Sequence, residues 1–449
     1  MINKTGNNYS QVFSSQPANK KTVDRQEQEI KDNFTVQNCE QRDWTVLIYS
    51  SATADIDQAA MDSTIELEKV GSDKNLALVL QKSRNPIQGS WKGVRRYFIT
   101  RNNNLPGQEI NSAVLKELGD MDMSRGENLA DFVKWGMKKF PARHYMLVMG
   151  GHGAGFMGAV TDMNRQRLMP LPEMKEALDR VKAETGEKPD ILAFNSCFMA
   201  QAEVLTQLRN NTDFIIASEK PEYEKGLPLA SFAGELKQKL KTEKNFGVKK
   251  TADILVDKSK DTPEQTPVIS SVDTRQAGGL ADAVHKLGKA LIKSPENRKV
   301  IIDTIKQVAQ VYVSENKDPL LSDFRDLGDF ATKIVSSTEI KDKKLKKAAS
   351  AVSAIINQAV SNKAVADFSR LPEKEKQVLK KQGVDEADYS ASFSGVSIYL
   401  PAQNPAFYGP KIGKLISDNY KNLDFANKTC WFEFIEKLHN IEFSQEYNP

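Results

Sequence analysis

Cysteine and histidine, the side chains suited to thiol nucleophile and proton-transfer chemistry, are scarce in this sequence. Its 449 residues include only 3 Cys and 4 His. His152 stands in the segment Gly150-Gly-His-Gly-Ala-Gly155, directly after an apolar run at 145–149, and Cys197 follows a second apolar run at 191–194. Ligands of parallel α/β sheets bind at the carboxyl ends of the strands. We therefore expect these two side chains to lie together as a nucleophile and its base.

The residues next to this pair favour acyl transfer. Apolar positions spaced from Phe198 to Leu208 predict a helix that begins near Cys197, and a helix N-terminus favours thiolate over thiol. The N–H groups of Gly153 and Cys197 are candidates for an oxyanion hole. A buried structural cysteine and an anion-binding glycine turn fit the same residues, and spacing alone leaves these alternatives open. The glycines match neither a P-loop nor a dinucleotide-binding pattern.

Composition excludes several other classes of protein. Lys and Arg total 63 against 59 Asp and Glu, and this net charge of +4 is too small to indicate a nucleic-acid partner. No run approaches the ~18 apolar residues of a membrane-spanning helix. The three cysteines are too spread for a disulfide framework, and neither zinc-type Cys or His spacing nor an EF-hand calcium loop is present. We predict no metal site from these patterns.

Strand and helix patterns alternate through the first half of the chain. Short apolar runs predict strands at 44–49, 76–80, 94–100, 145–149, 191–194 and 214–217. Helical spacing of apolar residues predicts helices at 59–70, 129–140 and 171–181. This alternation predicts an α/β fold, with a mostly parallel sheet and helices on both of its faces.

Composition divides the chain into three segments. Residues 1–41 are polar and lack the apolar segment of a Sec signal peptide, which predicts a disordered tail and either a cytoplasmic protein or export by a non-Sec route. Residues 42–255 hold the alternating pattern and form the predicted core. Residues 256–449 are predicted to be mainly helical, with a strand returning near 394–401.

An ordered set of sequence blocks resembles the clostripain family of cysteine peptidases, which share a caspase-like fold with gingipains, legumains and separases. The resemblance runs from about residue 42 to 440. The blocks are Trp44–Tyr49, Glu68–Gly71, Trp91–Tyr97, Asn128–Trp135, His144-Tyr145, His152-Gly153, Asp190–Met199, Ala217–Glu219, Asp326–Phe330 and Gly395–Pro401.

The resemblance implies a monomeric cysteine endopeptidase that acts on proteins or peptides. Cys197 would be the nucleophile and His152 its acid–base partner, with the Gly153 and Cys197 N–H groups holding the oxyanion. Family members cleave after Arg or Lys and cut themselves between the His and the Cys, which here implies a cut after Arg165 or Arg167.

The resemblance also bears on cofactors. It implies no required cofactor, although calcium dependence occurs in the family. Acidic residues that follow the first strand are candidates to line a calcium site: Asp55, Asp57 and Asp62.

Three departures from the family pattern bear on specificity. Asn195 replaces the usual Asp two residues before the Cys, Gly151 precedes the His, and the segment 218–228 lacks the family's turn. The lost negative charge could come from acidic residues of that segment, where Lys225 opposes them: Glu219, Glu222 and Glu224. Two alternatives therefore remain, a degenerate relative that acts as a binding or regulatory module and a caspase-like peptidase of different specificity.

Overall fold

The structure is a computed structural model of the protein. It describes residues 41–51, 55–85, 91–103, 109–261, 268–311, 321–371, 392–405 and 409–440, with a few single positions between 372 and 391. From Gln41 onward the chain forms one compact unit. The predicted disordered tail lies outside the described residues, apart from its last residue, and so does Cys39.

A nine-stranded sheet forms the centre of this unit. Along the sheet the strands follow the order β12-β10-β9-β8-β5-β1-β2-β3-β4. In chain order they are β1 (Arg42–Ser51), β2 (Leu76–Arg84), β3 (Gly93–Phe98), β4 (Val114–Gly119), β5 (Ala142–Gly150), β8 (Ile191–Asn195), β9 (Phe214–Ser218), β10 (Val268–Asp273) and β12 (Val360–Val365). Two further pairs form small sheets: β6 (Ala159–Asp162) with β7 (Arg167–Met169), and β11 (Phe324–Asp326) with β13 (Ser397–Tyr399).

The middle of the large sheet is parallel. Strands β2, β1, β5, β8 and β9 run in one direction. On each side the sheet continues through two antiparallel pairings, β2–β3 and β3–β4 on one side and β9–β10 and β10–β12 on the other. Side chains on both faces of these central strands are buried, as in β1, where Leu47 and Ile48 point to opposite faces. The carboxyl ends of β1, β5 and β8 therefore meet at one edge of the sheet.

Helices cover both faces of the sheet. One face packs against α1 (Asp57–Val70), α5 (Leu229–Thr242) and α6 (Val248–Asp261). The remaining helices are α2 (Gly126–Lys139), α3 (Leu171–Thr185), α4 (Ala202–Leu208), α7 (Leu280–Ile292), α8 (Arg298–Gln307), α9 (Leu327–Ser336), α10 (Lys343–Ala359), α11 (Pro410–Lys421), α12 (Asp424–Lys428) and α13 (Trp431–His439). Helix α2 lies so close to β1 that a Cβ on Gly136 would stand 2.5 Å from the Leu47 side chain.

The predicted α/β class, the parallel sheet and the mainly helical C-terminal region are confirmed. Each of the six predicted strands corresponds to an observed strand, but β4, β10 and β12 were not predicted. The returning strand exists as β13, which pairs with β11 rather than with the large sheet. The division of the unit at residue 255 stays a prediction, and two strands from beyond it, β10 and β12, belong to the large sheet. Among the described residues, no helix is both long and apolar enough to span a membrane.

Candidate active site

His152 lies just beyond the carboxyl end of β5. The turn that places it needs glycine at position 151, because the φ angle there is +139° and a Cβ would stand 2.9 Å from the carbonyl oxygen of Ser51. The His152 carbonyl accepts a hydrogen bond from Val160, and the ring Nε2 lies 2.9 Å from Oδ2 of Asp55. Both side chains are partly exposed, 40% for His152 and 60% for Asp55.

Cys197 lies beyond the end of the neighbouring strand. β5 and β8 pair in parallel up to Gly150 opposite Asn195, so the two strands deliver His152 and Cys197 to the same edge. The helix predicted after Cys197 is present as α4, but it begins only at Ala202, so the predicted start near Cys197 is wrong. Phe198 has a φ angle of +66°, which a right-handed helix does not accommodate.

The thiol of Cys197 is covered by the backbone of Glu222. The Glu222 N–H donates to Sγ at 3.3 Å, and Sγ lies 3.9 Å from the Glu222 carbonyl oxygen. Burial, together with the nearby Glu222 carboxyl group, raises the pKa of the Cys197 thiol to about 11. The expected lowering by a helix N-terminus is therefore not observed, and the thiol is protonated in this conformation.

Gly153 packs directly against the backbone that carries Cys197. A Cβ on Gly153 would stand 2.4 Å from the Cys197 carbonyl oxygen and 3.0 Å from its nitrogen. Gly153 and Ala159 form an antiparallel β-bridge whose two hydrogen bonds are donated by the N–H groups of Ala154 and Val160. The N–H group of Gly153 takes no part in this bridge. This close approach brings the Gly153 and Cys197 main chains together, as an oxyanion hole would require.

His152 and Cys197 line one cleft of about 320 Å³. Its polar lining includes Asp55, Asn195 and Glu222. Its apolar lining comes from β1, β2, β5, α1 and α5: Ile48, Leu80, Val148, Leu67 and Leu229. The cleft thus combines a thiol, an imidazole and an apolar wall.

Asn195 fixes one end of the segment that covers the thiol. Its Oδ1 accepts a hydrogen bond from the Leu227 N–H at 2.7 Å. Gly226, with a φ angle of +61°, packs so closely on this amide that a Cβ would stand 2.2 Å from Oδ1. Asn195 therefore holds the backbone of this segment in addition to lining the cleft.

The three acidic residues proposed for substrate binding have different surroundings. Glu222 and Glu224 line the cleft together with Lys225. Glu219 is fully buried elsewhere, where burial and the adjacent carboxylate of Asp326 raise its pKa well above the usual value. The structure therefore does not place Glu219 in the substrate cleft. We assign Glu219 a structural role beside Asp326.

Arg165 and Arg167 lie on the β6–β7 hairpin. Arg165 Nη1 donates to Asp162 Oδ2 at 2.7 Å, and its Nη2 lies 3.0 Å from Asp120 Oδ1. Arg167 belongs to β7 and is paired with Glu173. Gln166, between the two, has a φ angle of +49° and is exposed. The bond after Arg165 thus lies in an exposed turn, whereas the bond after Arg167 lies within a strand.

The acidic residues considered for calcium do not converge. Asp57 is buried in an ion pair with Arg84 at 2.8 Å, Asp62 accepts from Gln58, and Asp55 faces His152. Across the described part of the chain, no group of three or more His, Cys, Asp and Glu residues is arranged to hold a metal ion.

Comparison with known proteins agrees with this geometry. The sequence model of the clostripain family matches residues 98–438, about three quarters of the chain. The chain belongs to the clostripain family. As a clostripain-family protein it is a cysteine-type peptidase, and its substrates are proteins or peptides. Among proteins with curated functions, none is significantly similar in sequence.

Solved structures of C11 proteases share the fold of this clostripain-family chain. An inactive zymogen C11 protease from Parabacteroides distasonis is 19% identical, with a TM-score of 0.59 over 87% of this chain and 99% of its own. A secreted C11 cysteine protease from Bacteroides thetaiotaomicron, bound to an irreversible peptide inhibitor, is 16% identical, with a TM-score of 0.57 and the same coverage.

Asp55 is the site residue whose contact with the histidine was not predicted. The sequence marked it only as a calcium candidate, and 97 residues separate it from His152. A signal was present, because Asp55 follows β1 and β1 is the parallel neighbour of β5. The rule that strand ends meet at one edge therefore applied to it as well.

Proposed function

We propose that this clostripain-family chain is an endopeptidase that cleaves proteins or peptides after Arg or Lys, with Cys197 as nucleophile and His152 as acid–base partner. One observation carries the proposal: both side chains line a single cleft at the carboxyl edge of neighbouring parallel strands. The close approach of Gly153 to Cys197 supports an oxyanion hole beside them.

The contact between His152 and Asp55 sets the direction of proton transfer. Asp55 accepts the Nε2–H, which leaves Nδ1 as the basic nitrogen of the ring. His152 takes the thiol proton, and the thiolate attacks the scissile carbonyl. The Gly153 and Cys197 N–H groups stabilise the oxyanion, and His152 then protonates the departing amine. Water, deprotonated by His152, hydrolyses the thioester and restores the thiol.

Specificity for a basic residue is supported by the acidic lining of the cleft. Glu222 and Glu224 line it, and its apolar wall suits the alkyl stem of Arg or Lys. Asn195 supplies no charge, and Lys225 opposes the two acids. We propose that Glu222, the buried one, replaces the missing Asp.

Self-processing is proposed at the β6–β7 hairpin, which lies between the two catalytic residues in the sequence. We favour the bond after Arg165, since it lies in an exposed turn. The ion pairs of Arg165 with Asp162 and Asp120 must open before its side chain can enter the cleft.

The test compares wild type with Cys197→Ala and His152→Ala on fluorogenic peptides that end in Arg, Lys, Asp or Leu. We expect cleavage after Arg and Lys by wild type, with a loss of at least about 10²-fold in each variant. Cys430→Ser is the matched control, because Cys430 lies next to α13 with its Sγ 3.4 Å from the His285 carbonyl oxygen. Equal activity in Cys197→Ala would overturn the mechanism, and cleavage only after Asp or Leu would overturn the specificity.

A further inference from the structure

The segment 221–226, which we term the Glu222 segment, is held at both ends while it covers the thiol. At one end the Leu227 N–H donates to Asn195, and at the other the Phe198 N–H donates to the Lys220 carbonyl at 3.3 Å. Between these anchors, Glu222 donates its own N–H to Cys197 Sγ. Because the Glu222 main chain lies against Sγ, with its N at 3.3 Å and its O at 3.9 Å, a substrate carbonyl cannot approach the sulfur from this side in the resting conformation.

The carboxyl group of Glu222 has no partner in this conformation. Both of its oxygens are buried, and neither has a hydrogen-bond partner among the described residues. Buried polar groups are almost always paired, so an orphaned carboxyl next to a nucleophile calls for a ligand. Burial raises its pKa well above the usual value, so the empty site disfavours the charged carboxylate.

The surroundings of Glu222 favour a cation as that ligand. The charged and titratable groups that share its cleft are Asp55, His152, Cys197, Tyr223, Glu224 and Lys225. Lys225 is exposed, and the Lys220 ammonium lies 5.2 Å from the Tyr389 ring, so it is engaged with an aromatic ring. A guanidinium or ammonium group on an alkyl stem matches both an acidic partner and the apolar wall.

We propose that Glu222 senses the positive charge of the substrate: a guanidinium or ammonium group pairs with its carboxylate and draws the Glu222 N–H away from Cys197 Sγ. The step is non-covalent. The acid gives its proton to solvent, and the carboxylate pairs with the cation. This inference rests on the proposed function and adds a switch to it, since binding of a basic side chain both fills the cleft and uncovers the thiol. A ligand shifts such an equilibrium only by its preference for one state, here the uncovered one.

Alkylation of Cys197 tests the proposal without any peptide cleavage. The rate of modification by iodoacetamide is followed by mass spectrometry of the peptide that contains Cys197, with butylguanidine or its neutral counterpart butylurea present. We expect butylguanidine to accelerate alkylation of wild type several-fold and butylurea to leave the rate unchanged. Glu222→Gln should abolish the acceleration and Glu222→Asp should retain part of it. The control Glu433→Gln, on α13, should respond like wild type.

The outcomes separate this proposal from the proposed function. No acceleration in wild type, or the same acceleration in Glu222→Gln, overturns the switch even if the enzyme cleaves after Arg. Acceleration that depends on Glu222 in a protein that cleaves no peptide supports the switch and overturns the endopeptidase assignment. Matching circular dichroism and thermal midpoints of the variants establish that they are folded.

Discussion

At the scale of single residues, the imidazole of His152 depends on Asp55 for its orientation. The contact is partly exposed, so it is weaker than a buried carboxylate–imidazole pair. We predict that Asp55→Asn lowers kcat by about tenfold, below the 10²–10⁴-fold that a general acid–base group supplies, with little change in KM. Asp62→Asn on α1 is the control, and an unchanged kcat in Asp55→Asn would contradict the role.

Gly153 is the residue whose lack of a side chain matters most near the thiol. A Cβ there would meet the Cys197 carbonyl at 2.4 Å, and backbone cannot yield as a flexible side chain does. We predict that Gly153→Ala lowers kcat by about 10²-fold or more and destabilises the fold by about 1–3 kcal/mol. Enzyme kinetics and urea unfolding measure the two effects. Gly247→Ala, where the added Cβ meets nothing within 4 Å, should change neither.

At the scale of elements, the β6–β7 hairpin is the proposed site of self-cleavage. We predict that Arg165→Gln prevents self-cleavage while Arg167→Gln leaves it intact, because Arg167 is paired within a strand. Gel electrophoresis and intact-mass measurement identify the new terminus at Gln166. A cut after Arg167, or equal processing of Cys197→Ala, would disprove the prediction.

Elements buried on both faces could be predicted, and those defined by distant contacts could not. β1, β5 and β8 are short apolar runs, which mark a buried strand in any sequence. β12 reads Val-Ser-Asn-Lys-Ala-Val and is a strand only because β10 pairs with it, across 90 residues of chain. The start of α4 near Cys197 was predicted wrongly for a related reason. Gln201 instead bridges to Ser397, and the chain turns at Phe198 before α4 begins.

The candidate site could likewise be predicted only in part. The strand-end rule brought His152 and Cys197 together because both follow buried strands. The contact of the Glu222 main chain with the thiol could not be predicted, because the position of Glu222 in the sequence carries no information about where its N–H points. The pKa of Cys197 follows from that cover, so the sequence predicted its direction wrongly.

At the scale of the whole molecule, buried carboxyl groups make stability depend on pH. Burial raises the pKa of Glu203 to about 7, while its Oε1 accepts from the Tyr399 N–H and the Tyr420 hydroxyl. When the pKa of a carboxyl group is higher in the folded than in the unfolded state, the protein keeps its full stability at pH values below the unfolded-state pKa. It loses part of that stability as the pH rises through the folded-state pKa. For Glu203 the loss falls between about pH 4.5 and 7 and amounts to about 3 kcal/mol.

We predict that Glu203→Gln removes this part of the pH dependence. Its amide oxygen can accept the same two hydrogen bonds without carrying a charge. Urea unfolding at pH 5 and pH 8 should show a smaller decrease in the free energy of unfolding for the variant than for wild type. Other buried acids, including Glu219, contribute in both proteins and cancel in the comparison. Identical decreases would contradict the assignment.

The adjacency of β5 and β8 has a consequence for a chain cut after Arg165. One piece then carries His152 and the other Cys197, and the two pieces stay paired from Met146 opposite Ile191 to Gly150 opposite Asn195. An intact chain refolds at a rate that is independent of its concentration. The cut pieces must first meet, so their refolding becomes bimolecular and slows on dilution. Cleavage would thus make recovery of the enzyme after unfolding depend on its concentration.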